Sequence, residues 1–152
     1  TVTVPTTEDA RFRPADLGVT GKAYVYDYFA GTGKLVGADD TYTAQVTRSG
    51  SFFQVVPVGR SGIAFLGDAG KFVSLGKQRI RSLSDDGAVH ATVAFARGDG
   101  PVTLHGYSPA PVSVSAAGGS AGDVHYDAAS HLFSVRVSPG HGATVAVTLT
   151  RR

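Results

Sequence analysis

The side chains of this chain best suited to chemistry are aspartates: Asp27, the pair Asp39 and Asp40, and the pair Asp85 and Asp86. Two carboxyl groups flanking a bond can hydrolyse a glycoside, one as acid and one as base or nucleophile. Both pairs fall in turn-like sequence, where an Asp accepts hydrogen bonds from nearby backbone N–H groups. Turn chemistry is therefore the expected role of the pairs. Asp27 differs, because it lies inside the aromatic run Tyr24-Val25-Tyr26-Asp27-Tyr28-Phe29. A buried carboxylate there needs a partner such as an Arg or a backbone N–H.

Other routes to catalysis fail on spacing or on context. A phosphate loop requires G-x-x-x-x-G-K-[ST], but Gly33-Lys34 is followed by Leu35 and Gly70-Lys71 by Phe72. The histidines His90, His105, His125, His131 and His141 show neither H-x-x-x-H nor H-E-x-x-H spacing. Without Cys, a zinc site would have to gather His and carboxylates from separate strands. Gly118-Gly119-Ser120-Ala121-Gly122 fits the G-x-S-x-G spacing, but it falls in a small-residue stretch that reads as a flexible loop, not on the strand-to-helix turn that exposes a serine nucleophile. No metal or cofactor is expected, and no catalytic residue is assigned.

Two clusters could bind instead. Tyr24, Tyr26 and Tyr28 share one side of a strand, and such a ladder could stack on the apolar faces of sugar rings. The alternative is that this face packs against another domain, each hydroxyl finding a polar partner at the rim. Lys77, Arg79 and Arg81 form a basic stripe, which reads as a solvated or edge-protecting face. A nucleic-acid groove needs many more cations with interleaved aromatics. Nucleic acid is therefore not an expected partner.

The elements that carry these residues are strands. Short apolar runs separated by Gly, Asp and Pro turns arrive about every 8–12 residues, the rhythm of sandwiches and barrels. Strands are expected near Val2 to Val4, Ala23 to Phe29, Thr41 to Thr47, Phe52 to Val58, Gly62 to Leu66, Phe72 to Leu75, Gln78 to Leu83, Ala88 to Ala96, Val102 to Tyr107, Val112 to Ala116, Asp123 to Tyr126, Leu132 to Val137 and Thr144 to Thr150. Period-2 alternation places Val89, Ala91, Val93 and Phe95 on one face, as it does Phe133, Val135 and Val137, and Val145, Val147 and Leu149. Two antiparallel sheets sharing one core, an all-β sandwich, satisfy these patterns. The segment Glu8 to Leu17 lacks alternation and reads as an irregular crossover. Ala116 to Gly122 reads as a flexible loop, and no internal repeat is evident.

A chain of 152 residues suits a single domain, here 1–152, and at this length folding buries roughly 68–70% of the surface. The charge of +2 rests on only 17% charged residues, so no polyanion partner is implied. No apolar run reaches the roughly 18 residues of a membrane helix, so no membrane partner is expected. With no Met and a strand-like start at Thr1, the chain is expected to be a piece of a longer polypeptide. Its Ala-, Gly- and Val-rich, Lys-poor usage points to a bacterial source with GC-rich coding.

The run Tyr24 to Gly31, followed by Lys34-Leu35-Val36-Gly37, resembles the opening of C-terminal β-sandwich domains in multidomain glycoside hydrolases. Phe52 to Gly59, Ile63 to Asp68 and Lys71-Phe72 are similar to the end of α-galactosidase and raffinose-synthase-like enzymes. Gly122 to Val135 resembles the closing hairpin of such a domain. Phe29 departs from the pattern, standing where these domains often carry Trp, and Val58-Gly59 stands where many place a His. In that family the sandwich follows a catalytic (β/α)8 barrel, and the catalytic carboxylates belong to the barrel. The resemblance implies a non-catalytic accessory domain whose partner is the barrel of the same polypeptide. The alternative is a carbohydrate-binding module using Tyr24, Tyr26 and Tyr28.

Overall fold

In a computed structural model, residues 8–46, 50–70 and 79–152 are described. The expected strands at Val2 to Val4 and Phe72 to Leu75 lie outside these residues, as does Lys77. Among the described residues every regular element is a strand except one 3-10 turn at Pro14–Leu17. The chain divides into two compact units, Thr1–Pro57 and Val58–Arg152.

The first unit holds β1 (Glu8–Phe12), β2 (Ala23–Asp27), β3 (Thr32–Val36), β4 (Tyr42–Val46) and β5 (Phe53–Pro57). β1 pairs antiparallel with β4, and β2 lies between β3 and β5. The rings of Phe12, Tyr42 and Phe53 meet at centroid distances of 5.3 to 6.4 Å and join the two sheets. Two of these strands depart from the sequence reading. β1 carries Glu8, Asp9 and Arg11 in an exposed pairing with β4, where a strand needs no apolar alternation. β3 carries Gly33 and Lys34, poor strand formers. Its formation is favoured by packing: a Cβ at Gly33 would stand 2.5 Å from the Tyr24 ring, so the glycine lets that ring lie flat across its neighbour.

The second unit is a two-sheet sandwich, and all its pairings among the described residues are antiparallel. Its strands are β6 (Ala64–Asp68), β7 (Ile80–Asp85), β8 (Val89–Ala94), β9 (Val102–Tyr107), β10 (Val112–Ala117), β11 (Gly119–Asp127), β12 (Leu132–Pro139) and β13 (Thr144–Arg151). One sheet has the order β10-β13-β8-β7 and the other β11-β12-β9-β6. Between them lie Val89, Ala91, Val93, Phe95, Leu104, Phe133, Val135, Val137, Val145, Val147 and Leu149, all buried. Period-2 alternation had placed all but Leu104 of these on inward faces.

The Gly-rich stretch after Ala117 is not a loop. Gly118 turns the chain at φ 84°, and β11 begins at Gly119, paired with Pro139 of β12. A Cβ on Gly119 would run into the Ser138 carbonyl and the Val145 side chain. The small residues are there because backbones approach closely, and this requirement resembles loop flexibility in sequence.

Gly106 faces Phe133 across the β9–β12 ladder, and a Cβ there would meet the Ala64 carbonyl and the Phe133 ring. In urea unfolding, Phe133→Ala should lower stability by about 3–5 kcal/mol and Gly106→Ala by about 1–3 kcal/mol. The exposed Phe29→Ala should stay within about 0.5 kcal/mol of the parent. A loss at Phe29 as large as at Phe133 would contradict this assignment of the core.

Candidate functional site

The aromatic strand is shorter than its sequence implies. β2 ends at Asp27, and Tyr28 and Phe29 enter the turn to β3. The Asp27 carboxylate ends it: Oδ1 accepts from the backbone N–H of Phe29 and of Ala30, both at 3.1 Å. The Asp27 carbonyl accepts from Gly31 N–H at 2.9 Å, and Gly31 takes φ 67°, which glycine adopts without a Cβ penalty. The backbone partners anticipated for Asp27 are thus those of a turn.

The three tyrosines are thereby separated. Tyr24 is 1% and Tyr26 8% exposed, and burial pushes the Tyr26 hydroxyl above its usual range. Tyr28 is half-buried, its ring edge-on to Phe29 at 5.6 Å and to Phe52 at 6.1 Å. Phe29 at the hairpin tip is 62% exposed, and Leu35 on β3 is 37% exposed. The open apolar surface of this hairpin is therefore Phe29 with the rim of Tyr28 and Leu35. Tyr24 and Tyr26 give no flat face to a sugar.

Of the paired aspartates, Asp40, Asp85 and Asp86 also bond to backbone. Asp40 Oδ2 accepts from Gly37 N–H at 3.1 Å. Asp85 Oδ1 accepts from Gly87 N–H, and Asp86 Oδ1 from Ala88 N–H and from the His90 ring. Asp85 reaches further, taking the backbone N–H of the buried Ser61 at 2.9 Å and its hydroxyl at 2.6 Å. Burial alone would raise the Asp85 pKa, but the bonds from Ser61 and Gly87 outweigh it and hold the carboxyl below the ordinary range. Bonds from the Ala88 backbone, and then from His90, hold Asp86 below it too.

Arg79 corrects the reading of the basic stripe. Its side chain is 14% exposed and lies between Asp68, at 3.4 Å, and Asp99, at 2.6 Å. It also donates to the Ala94 carbonyl at 2.8 Å and lies 5.4 Å from the Phe95 ring centre. Arg81, two residues on, is exposed. Period-2 spacing puts both on one face of a regular strand, but β7 begins only at Ile80 and a register shift follows before Ser82. The nearest sequence clue was Asp99 in the Gly98-Asp99-Gly100 turn.

His105, opposite Ser134 on the β9–β12 ladder, is held below the ordinary imidazole range by burial, with Asp68 pulling the other way. Among the described residues, no three His, Asp or Glu side chains gather to hold a metal ion.

Neither a family model nor a curated protein sequence matches the chain.

Removing one partner of a buried ion pair leaves an uncompensated charge, so Arg79→Gln should destabilise the chain by about 3 kcal/mol. Arg81→Gln should change stability by less than about 0.5 kcal/mol. Equal effects in chemical unfolding would contradict the placement of Arg79. A second expectation concerns pH. Folded His105 gives up its proton more readily than the unfolded chain does, so the unfolded state binds more protons and stability rises with pH. That contribution is fully present above roughly pH 6.5, the ordinary histidine pKa, and is lost as pH falls through the folded value. His105→Gln should flatten this part of the stability profile; an unchanged slope would contradict the burial of His105.

Proposed function

We propose that the chain is the non-catalytic C-terminal β-sandwich domain of a multidomain glycoside hydrolase, packing against and stabilising a catalytic (β/α)8 barrel. The observation that best supports this reading is the hairpin from Tyr24 to Val36. The segment that carries the resemblance folds into a hairpin, and its tip holds Phe29 at 62% exposure. A large aromatic side chain fixed in water by a bonded turn is a natural anchor for an apolar pocket. Its position is the one where the resembling domains often carry Trp, a still larger anchor.

The aspartates singled out as candidate acids agree with a non-catalytic role. Asp27, Asp40, Asp85 and Asp86 are all bonded to turn backbone. The alternative reading, a carbohydrate-binding module built on Tyr24, Tyr26 and Tyr28, keeps only Tyr28 as a partly open ring.

Two measurements test the proposal. The chain alone should turn over no member of a nitrophenyl glycoside panel above buffer, and activity abolished by Asp27→Asn would overturn the accessory role. Burying a Phe side chain is worth about 1.5–3 kcal/mol. Phe29→Ser should therefore weaken association with the separately expressed barrel about tenfold or more, with the sandwich still folded. Unchanged association would remove Phe29 from the interface.

A further inference from the structure

The second unit opens with Val58-Gly59-Arg60-Ser61-Gly62-Ile63, the stretch that leads the chain from β5 into β6. It forms a turn, with Gly62 N–H donating to the Gly59 carbonyl at 3.1 Å and Gly62 at φ 74°. Arg60 is exposed in this turn, yet the next residue, Ser61, is only 2% exposed. A connecting turn at the surface ordinarily leaves its polar side chains in water. This one turns a serine inward.

The serine is held by Asp85, the last residue of β7. Oδ1 accepts from Ser61 N–H at 2.9 Å and Oδ2 from the Ser61 hydroxyl at 2.6 Å, while the hydroxyl oxygen accepts from Ile63 N–H at 3.0 Å. Gly59 lies against the same carboxylate, because a Cβ there would collide with it. The grip is made of hydrogen bonds to a charged acceptor. Asp86 follows in the hairpin turn and opposes the charge of Asp85, and His90 of β8 bonds to Asp86. Arg60 lies in the connecting turn, and the Arg151 guanidinium of β13 would stand 3.5 Å from a Cβ at Gly62. Among the described residues neither arginine forms an ion pair with Asp85. A neutral group in place of the carboxylate would bring a hydrogen of its own, and it could not accept from Ser61 at both of its ends. The short charge-assisted bond would be lost.

We propose that the Arg60–Ser61 peptide bond is a latent cleavage site for a protease that cuts after basic residues, kept closed by the grip of Asp85 on Ser61. An exposed Arg in a connecting turn flanked by Gly59 and Gly62 has the features of a nicking site. A protease acts on the locally opened chain, so the free energy of opening sets the rate. Here opening must draw Ser61 out of its burial and break both of its bonds to Asp85. Cleavage adds water across the C–N bond, leaving a carboxylate on Arg60 and an amine on Ser61. The residues of the first unit and the strands from β6 onward are then no longer one chain. This inference does not rest on the accessory role proposed above.

The test is trypsin digestion of the whole chain near neutral pH, with fragments timed by mass spectrometry and amide exchange followed in parallel. The parent should resist cutting at Arg60. Asp85→Asn, which removes the charge at nearly constant shape, should speed cleavage at Arg60 about tenfold or more. The rate at Arg97, exposed in the β8–β9 connection, should not change. Protection of the Ser61 and Ile63 amides should fall in the variant, while the core amides of Val135 and Val147 keep theirs. Ser61→Ala removes a hydroxyl and no charge, so it should give a smaller rise at Arg60 alone; should Asp85→Asn fail to fold, this variant decides. Prompt cutting of the parent at Arg60 would overturn the proposal. So would variant rates at Arg60 equal to the parent's, or a rise in the folded variants shared by Arg97 and the core amides.

Discussion

Register is the constraint on which the rest of this structure depends. The central strands β8, β12 and β13 bury alternate residues, so slipping one pairing by a single residue would turn Val135 or Val147 to water and bring Ser134 or Thr148 inward. The chain has no disulfide to prevent this. Its hairpins supply the restraint. At Asp27 and Asp127 a carboxylate holds the first N–H groups of the turn, and a left-handed residue four positions on closes it. At Asp85 the same device extends across the unit to Ser61, and a Cβ at Gly59 would collide with that carboxylate.

This use of acid groups bears directly on function. A general acid needs a carboxyl whose pKa is raised, through burial without compensating donors or through a like charge nearby. Asp85, Asp86 and Asp127 are in the opposite condition. The Ala129 backbone and then the Ser130 hydroxyl hold Asp127 below the ordinary range, as Ser61 and Gly87 hold Asp85 against its burial. A carboxylate stabilised in its charged form supports a turn well and donates a proton poorly. The accessory role proposed here rests on that physical opposition together with the resemblance around Tyr24.

What could be read in advance follows from which patterns are local. β8, β12 and β13 were legible because each is polar on one face and apolar on the other. The turn aspartates were legible because Asx bonding reaches only two or three residues. β1 was not, since Glu8, Asp9 and Arg11 lie on an exposed strand with no face to mark it. Alternation places Tyr24 and Tyr26 on a common face but cannot say whether that face is covered; both are buried. Arg79 depends on Asp68 and Asp99, which only the fold brings to it. His131 was visible as a residue, but its left-handed backbone emerges only on comparison with Gly31 in the other hairpin.

Carboxyl titration followed by NMR tests the central claim, that the turn carboxylates of Asp85, Asp86 and Asp127 are held in their charged form as structural acceptors. Asp85, Asp86 and Asp127 should each titrate below the ordinary aspartate range, and folding stability should fall with pH as they protonate. Any of the three titrating at or above that range would contradict the account.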